Sequence, residues 1–302
     1  MSIDISVCIC TYKRPSLKET LNSLENQIPI KGFLFDIYVI DNDPKSSAKE
    51  IVDYFKSYSK INVYYYVETE QGVSNARNLC IQKTNSKFIA FIDDDEVAQE
   101  NWLQELIACK IKFNANVVIG KVVTVYPTET PDWIIKGDFF SKPVSKTGQV
   151  PIIASTSNAL IERSILPVDI DVFNKSFNQT GGEDTDLFFR IMKLGASIVQ
   201  SEEAVVHETI DSNRVNKSFL LKKAKRVGET YFKIILNEKP FFVIFLYTAK
   251  ASLQALLFKL AYLIIYPFDS VKGFRYLIRY MSNKGKLSCV FKRKNTIIYN
   301  QR

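Results

Sequence analysis

Three aspartates and a glutamate, Asp93-Asp94-Asp95-Glu96, follow the apolar run from Phe88 to Ile92 with no turn residue between. Adjacent carboxylates repel one another and resist desolvation, so a fold has little reason to set them beside a core strand without a ligand to neutralise them. A hard divalent cation such as Mg2+ or Mn2+ would do so, bound through few protein oxygens and completed by substrate phosphates. A solvated acidic turn is the competing reading of these acids taken by themselves. A second cluster, Gly181-Gly182-Glu183-Asp184-Thr185-Asp186, opens a stretch in which Leu187, Phe188, Ile191 and Leu194 recur at helical spacing. Glycines ahead of a helix let backbone approach a ligand. Acids in a first turn also suit the helix dipole without doing chemistry, with Asp184 or Thr185 as the N-cap. His207, the only histidine, follows the apolar Ala204-Val205-Val206 and taken alone reads as a packed side chain.

These groups need elements to hold them. Apolar runs at 3–10, 33–40, 61–67 and 88–92 read as strands, and the stretches 17–24, 48–58, 74–84 and 101–113 between and after them read as helices. That alternation predicts an α/β fold, with a mainly parallel sheet flanked by helices. Every predicted strand ends in polar residues: Thr11-Tyr12-Lys13-Arg14, then Asp41-Asn42-Asp43, then Glu68 to Gly72, then the acid run. Ligands of open α/β sheets bind beyond the carboxyl ends of the strands, so four loaded ends favour a site there. No G-x-G-x-x-G follows the first strand and no G-x-x-x-x-G-K-[ST] occurs, which disfavours a dinucleotide fold and a P-loop.

Length and charge divide the chain. Its 302 residues, 46% hydrophobic, suffice for one large α/β domain with an appendage. Residues 211–302 hold 19 Lys and Arg against 4 Asp and Glu, a net of +15, while the preceding 210 residues carry −7. A boundary is expected near 212, giving domains 1–212 and 213–302, the second helical. Within it, 240–268 is strongly apolar but carries Lys250 and Lys259, which at 100° per residue point to opposite faces. Each lysine opposes bilayer crossing, and the two together spoil a simple amphipathic pattern. The basic clusters 222–226, Arg275, Arg279, Lys284, Lys286 and 292–294 would attract anionic headgroups. Interfacial or shallow insertion is the expectation, with packing on the catalytic domain or on a second copy of the chain as the competitor. No nucleic-acid-binding motif accompanies the basic tail, so nucleic acid is not an expected partner. The five scattered cysteines suggest reduced thiols, and the first ten residues show no secretory signal.

Five stretches occur in an order that resembles family 2 glycosyltransferases of the GT-A fold: "SVCICTYKRPSLKETLNSL", "VIDNDP", "QGVSNARN", "FIDDDE" and "GGEDTDLFFRIMKLG". They look most like the bacterial branch that builds exopolysaccharide and O-antigen units, including succinoglycan-type enzymes. The resemblance implies a metal-dependent, inverting transfer of a sugar from a nucleoside-diphosphate donor, with a UDP-sugar favoured, to a hydroxyl of a lipid-linked glycan. That would happen at the cytoplasmic face of the inner membrane. In the donor site it places Thr11, Tyr12, Arg14, Asp41, Asp43, Arg77, Asp93, Asp94 and Asn158. It makes Asp93-x-Asp95 the D-x-D motif, with Asp95, Asp93 and His207 on Mn2+ or Mg2+, and three consecutive acids leave two registers open. Asp184 becomes the general base and Glu183 an acceptor-side partner. Residues 126–157 would form a loop over the active site, in which Trp133 either stacks on a sugar ring or anchors the loop. The competing readings are a sugar-1-phosphate nucleotidyltransferase, disfavoured because "CTYKRPS" lacks glycine, and a non-catalytic membrane-associated scaffold that keeps the fold.

Overall fold

Four strands, β1 (Ile5–Thr11), β2 (Phe35–Asp41), β3 (Val63–Val67) and β4 (Phe88–Ile92), pair in parallel in the spatial order β3-β2-β1-β4. The computed structural model describes residues 4–168 and 171–290, and the basic triplet 292–294 lies outside them. Beyond β4 the sheet continues with β7 (Asn158–Glu162), β6 (Val117–Val125), β8 (Ile198–Thr209) and β5 (Glu96–Ala98), to eight strands. β7 runs antiparallel to β4 and to β6, β8 parallel to β6, and β5 antiparallel to β8. The parallel half is the one that the alternation predicts.

Side-chain alternation splits the strands between two cores. Ile5, Val7 and Ile9, with Phe88, Ala90 and Ile92, face α1 (Leu17–Glu25), α2 (Lys49–Lys56) and α4 (Trp102–Phe113). Cys8, Ile40, Ile89 and Phe91 face α3 (Val73–Lys83) and α6 (Glu183–Lys193) on the other side. Leu187, Phe188 and Ile191 of α6 are buried as predicted, whereas Leu194 falls beyond the helix end and is exposed. All five cysteines are free thiols. From β1 the chain passes to β2 on one side, while β4 lies on the other, so a crevice opens at the carboxyl ends of β1 and β4.

The chain forms two compact units, one of 1–125, 141–178 and 183–209, the other of 126–140, 179–182 and 210–302. The second unit therefore takes in part of the stretch predicted as an active-site loop. There α5 (Asp132–Gly137) places Ile134, and Phe140 follows, in a cluster with Leu220 and Phe274. Trp133 packs edge-on against Phe274 at 5.1 Å, with Phe139 at 5.6 Å and Lys217 over its ring. The indole is thus packed within this unit. Three long helices, α7 (Lys217–Glu238), α8 (Phe241–Ile265) and α9 (Ser270–Val290), make up the rest of this unit. α7 and α9 touch backbone to backbone: a Cβ on Gly228 would stand 1.9 Å from the Ser282 carbonyl oxygen, and one on Gly285 2.0 Å from that of Lys225.

Candidate active site

At the end of β1, Lys13 adopts a left-handed φ of 54°. Its ammonium lies 4.9 Å from the Tyr12 ring centre, and Arg14 reaches Asp95 at 3.8 Å, so the first loop is tied to the acid run. At the end of β2, Asp41 is wholly buried. It accepts the N–H of Asp43 at 3.0 Å, that of Ala48 at 2.8 Å and the Tyr65 hydroxyl at 2.8 Å. Asp43, also buried, accepts from the Lys45 N–H. In this arrangement both carboxylates order the loop after β2. Asn42 spans to the third strand end, donating to the carbonyls of Glu68 and Glu70 and accepting the Gly72 N–H. Gly72 itself is needed because a Cβ there would meet the Asn178 side chain at 2.2 Å. That Asn178 oxygen accepts the N–H groups of Ser74 and Asn75 at the start of α3.

The acid run resolves into two kinds of residue. Asp93 and Asp95 are partly exposed, while Asp94 and Glu96 are buried. The open register is thus Asp93-x-Asp95, and Asp94 turns inward beside Thr11. Burial and the neighbouring Asp95 push the Asp94 carboxyl up to about 7, against the lowering pull of Thr11 and Arg14. Glu96 accepts the Asp93 N–H at 3.0 Å, and burial followed by Asp93 raises its pKa well above the carboxylate range. Glu96 thus keeps its proton at neutral pH and Asp94 is only partly ionised there, which removes part of the repulsion that makes the run costly.

Arg77, on α3, joins the two acid clusters. Its guanidinium is ion-paired to the buried Glu183 at the start of α6 and to Asp93 at 3.2 Å, above the Phe173 ring. Burial works against its charge, but Glu183 and Asp93 outweigh it and keep the guanidinium protonated. Arg77 thus clasps two carboxylates 90 residues apart in sequence, Asp93 and Glu183. Asp184, the next residue, is partly exposed and accepts the N–H of Thr185 at 2.6 Å and its hydroxyl at 3.3 Å. Both partners belong to its immediate neighbour, so Asp184 does not cap α6 in the usual sense. Asp186 pairs with Arg190 at 2.8 Å and belongs to the helix scaffold.

Two groups that the sequence reading passed over face this cluster. The Lys142 ammonium donates to the Ser157 hydroxyl at 2.9 Å. Burial alone would lower its pKa, yet Glu96, Glu208, Asp93 and Asp184 together raise it. Glu208 is the second such group. It pairs with Glu96 across the β5–β8 ladder, while His207 pairs with Val97. With a side-chain period of two, His207 lies on the opposite face of the sheet from Glu208. Among the described residues no three His, Cys, Asp or Glu side chains converge to hold a metal, and His207 is not gathered with Asp93 and Asp95. Asn158 is buried, accepts the Trp102 indole N–H at 2.8 Å and donates to the Lys121 and Ala204 carbonyls. It braces an irregularity in the β6–β8 pairing. Neither missed residue had a signal in the sequence, since Lys142 lies in a Pro- and Ser-rich stretch and Glu208 beside a more conspicuous histidine.

The donor set suits a hard cation all the same. Asp93 and Asp95 offer partly exposed oxygens, too few to complete a coordination shell and thus in keeping with an ion that shares a diphosphate.

Comparison with known proteins fits this geometry. The family described as Glycosyl transferase family 2 matches residues 6–168. The chain belongs to glycosyltransferase family 2. This glycosyltransferase is 33% identical over 238 residues to the succinoglycan biosynthesis protein ExoM of Rhizobium meliloti, which covers 78% of the chain and 77% of that relative. It is 24% identical to the glycosyltransferase AglE of Haloferax volcanii, over 78% of the chain and 75% of the relative. The crystal structure of S. aureus TarS 1-349 in complex with UDP-GlcNAc superposes with a TM-score of 0.55 at 16% identity, covering 96% of this chain and 92% of that one. The fold is accordingly GT-A, with a C-terminal helical region.

Proposed function

We propose that this glycosyltransferase is metal-dependent and inverting, and that it moves a sugar from a UDP-sugar to a hydroxyl of a lipid-linked glycan during bacterial surface polysaccharide synthesis. The observation that carries the reading is the Arg77 clasp, which sets the open Asp93 and the Glu183–Asp184 pair at one crevice. The acceptor hydroxyl oxygen attacks the anomeric carbon, its proton passes to an Asp184 carboxylate oxygen, and the bond to the diphosphate breaks on the opposite face. Asp184 suits this role because its partners leave lone pairs for the acceptor. Glu183, held by Arg77, fixes the start of α6 and hence the position of the base. A Mn2+ or Mg2+ ion held by Asp95 and Asp93 would offset the charge on the departing diphosphate. Lys142 keeps the acid cluster from repelling an anionic donor.

The donor class is supported by the fold neighbour crystallised with UDP-GlcNAc, and the polymer by the succinoglycan biosynthesis relative. The basic second unit, with its long apolar helix, supports an acceptor presented at the cytoplasmic face of the membrane. The test uses labelled UDP-sugars and a membrane lipid extract. Asp184→Asn should lower incorporation into glycolipid by about 10²–10⁴-fold while nucleotide binding is kept. Incorporation at the wild-type rate would remove Asp184 from the chemistry.

A further inference from the structure

Within the second unit, α8 shows two distinct sides. Ala251 and Ala255 are buried on the side that packs along α9. Phe242, Phe245, Leu253, Leu256, Leu260 and Ile264 are exposed on the other, Phe242 at 68% and Ile264 at 67%. At 3.6 residues per turn these six centre on one line along the helix, and Lys250 and Lys259 each lie about a quarter turn from it, on opposite flanks. The lysines that spoil a simple amphipathic pattern in the sequence thus border an apolar face, where their stems can lie on it and their ammonium groups can rise to water.

The partner helix decides how such a face meets lipid. α9 carries Lys272, Arg275, Arg279, Lys284 and Lys286 and no acid. A helix crossing the bilayer would draw the cations of this neighbour into hydrocarbon, where each is strongly disfavoured, or lose its packing against it. Lying flat, α8 leaves α9 on the aqueous side. A cavity of about 150 Å³ between these helices, lined by Tyr231, Tyr247, Lys250, Gln254 and Lys286, lies at the Lys250 flank. Lys286 donates to the Asn283 side chain and lies over the Tyr231 ring, and among the described residues it has no carboxylate partner. Burial, with Lys250 adding to it, lowers the Lys286 pKa, a cost that an anion in the cavity would relieve.

We propose that α8 lies in the plane of an anionic phospholipid bilayer, with its exposed apolar face at the acyl boundary, Lys250 and Lys259 at headgroup level on either side, and a lipid phosphate in the Lys250–Lys286 cavity. This rests on the membrane partner proposed above and not on the reaction. Charge complementarity selects the occupant, since the charged residues of α9 are all cationic and those of α7 largely so.

The test is flotation of the full chain with vesicles of phosphatidylcholine alone or mixed with phosphatidylglycerol, alongside UDP binding and light scattering. Wild type should float with the anionic vesicles, less so in high salt, and stay down with the neutral ones. Leu253→Glu with Leu260→Glu should abolish flotation, and Lys250→Gln with Lys286→Gln should weaken it about 30-fold, the loss expected of two interfacial cations. UDP binding should be unchanged in both, which shows folding and separates this proposal from the proposed reaction. Nitroxides placed singly at Phe245, Leu253, Leu260 and Ile264 should report one shallow depth. A depth profile peaking at Leu253 would mean a crossing helix and overturn the proposal. So would equal flotation with neutral vesicles, or a stable oligomer that shields the labels.

Discussion

Replacing Arg77 by methionine isolates the interaction on which the site's geometry depends. Glu183 is 3% exposed, and in the variant its carboxylate would lose the guanidinium that offsets its burial. Removing one partner of a buried pair costs about 3–5 kcal/mol, because the remaining charge stays desolvated. The contact with Asp93 adds little, since that carboxylate is 41% exposed and solvent screens it. With a urea dependence of about 2–3 kcal/mol per molar, the midpoint should fall by about 1–2 M. The readout is the fluorescence of Trp102, fully buried in the same unit, in a Trp133→Phe background. Glu183→Gln in the Arg77→Met chain removes the stranded charge and should recover most of the loss. The pH dependence has a definite sign: an unpaired buried carboxyl titrates above its unfolded value near 4.3, so the deficit of Arg77→Met should grow as pH rises from about 4. A loss below about 1 kcal/mol, or strictly additive single and double variants, would refute the clasp.

Other expectations follow from the same physical reasoning. In metal-free buffer, Asp94 keeps in the fold a proton that the unfolded chain gives up, from its ordinary value of 3.8 to about 7. Wild-type stability should therefore fall with rising pH in that window by up to about 1.4 kcal/mol per unit. Asp94→Asn should gain on wild type across it and keep a constant advantage above it, and parallel melting curves from pH 4 to 8 would contradict the assignment. Gly285→Ala should destabilise by about 1–3 kcal/mol in thermal unfolding. Alanine's helix propensity favours the change by about 1 kcal/mol, but its methyl would stand 2.0 Å from the Lys225 carbonyl oxygen, and neither backbone can yield. A stabilised variant would show that α7 and α9 do not approach at this point.

The parallel half of the sheet was legible in the sequence because its strands are short apolar runs with helices between, a pattern that local chemistry fixes. The mixed half was not, since the three-residue strand β5 and the bulged β8 exist through pairing with distant partners. Within the site, the two acid clusters could be read as motifs, but their connection through Arg77 could not. It depends on α3 and α6 meeting on one face of the sheet. His207 and Asn158 could be named by residue type, but their surroundings could not, since strand register sets the face of the one and buries the other among carbonyls. Lys250 and Lys259 belong with them, because whether two lysines spoil an apolar helix or border its exposed face depends on which side α9 covers.

The central claim, a nucleoside diphosphate bound with a divalent cation at Asp93 and Asp95, is tested most directly by calorimetric titration. UDP, GDP and dTDP would each be titrated with and without Mn2+ against wild type and Asp95→Ala. The account predicts that UDP binds in a Mn2+-dependent manner and that Asp95→Ala abolishes this, with the fold intact by circular dichroism. Metal-independent binding, or binding undiminished in Asp95→Ala, would contradict it.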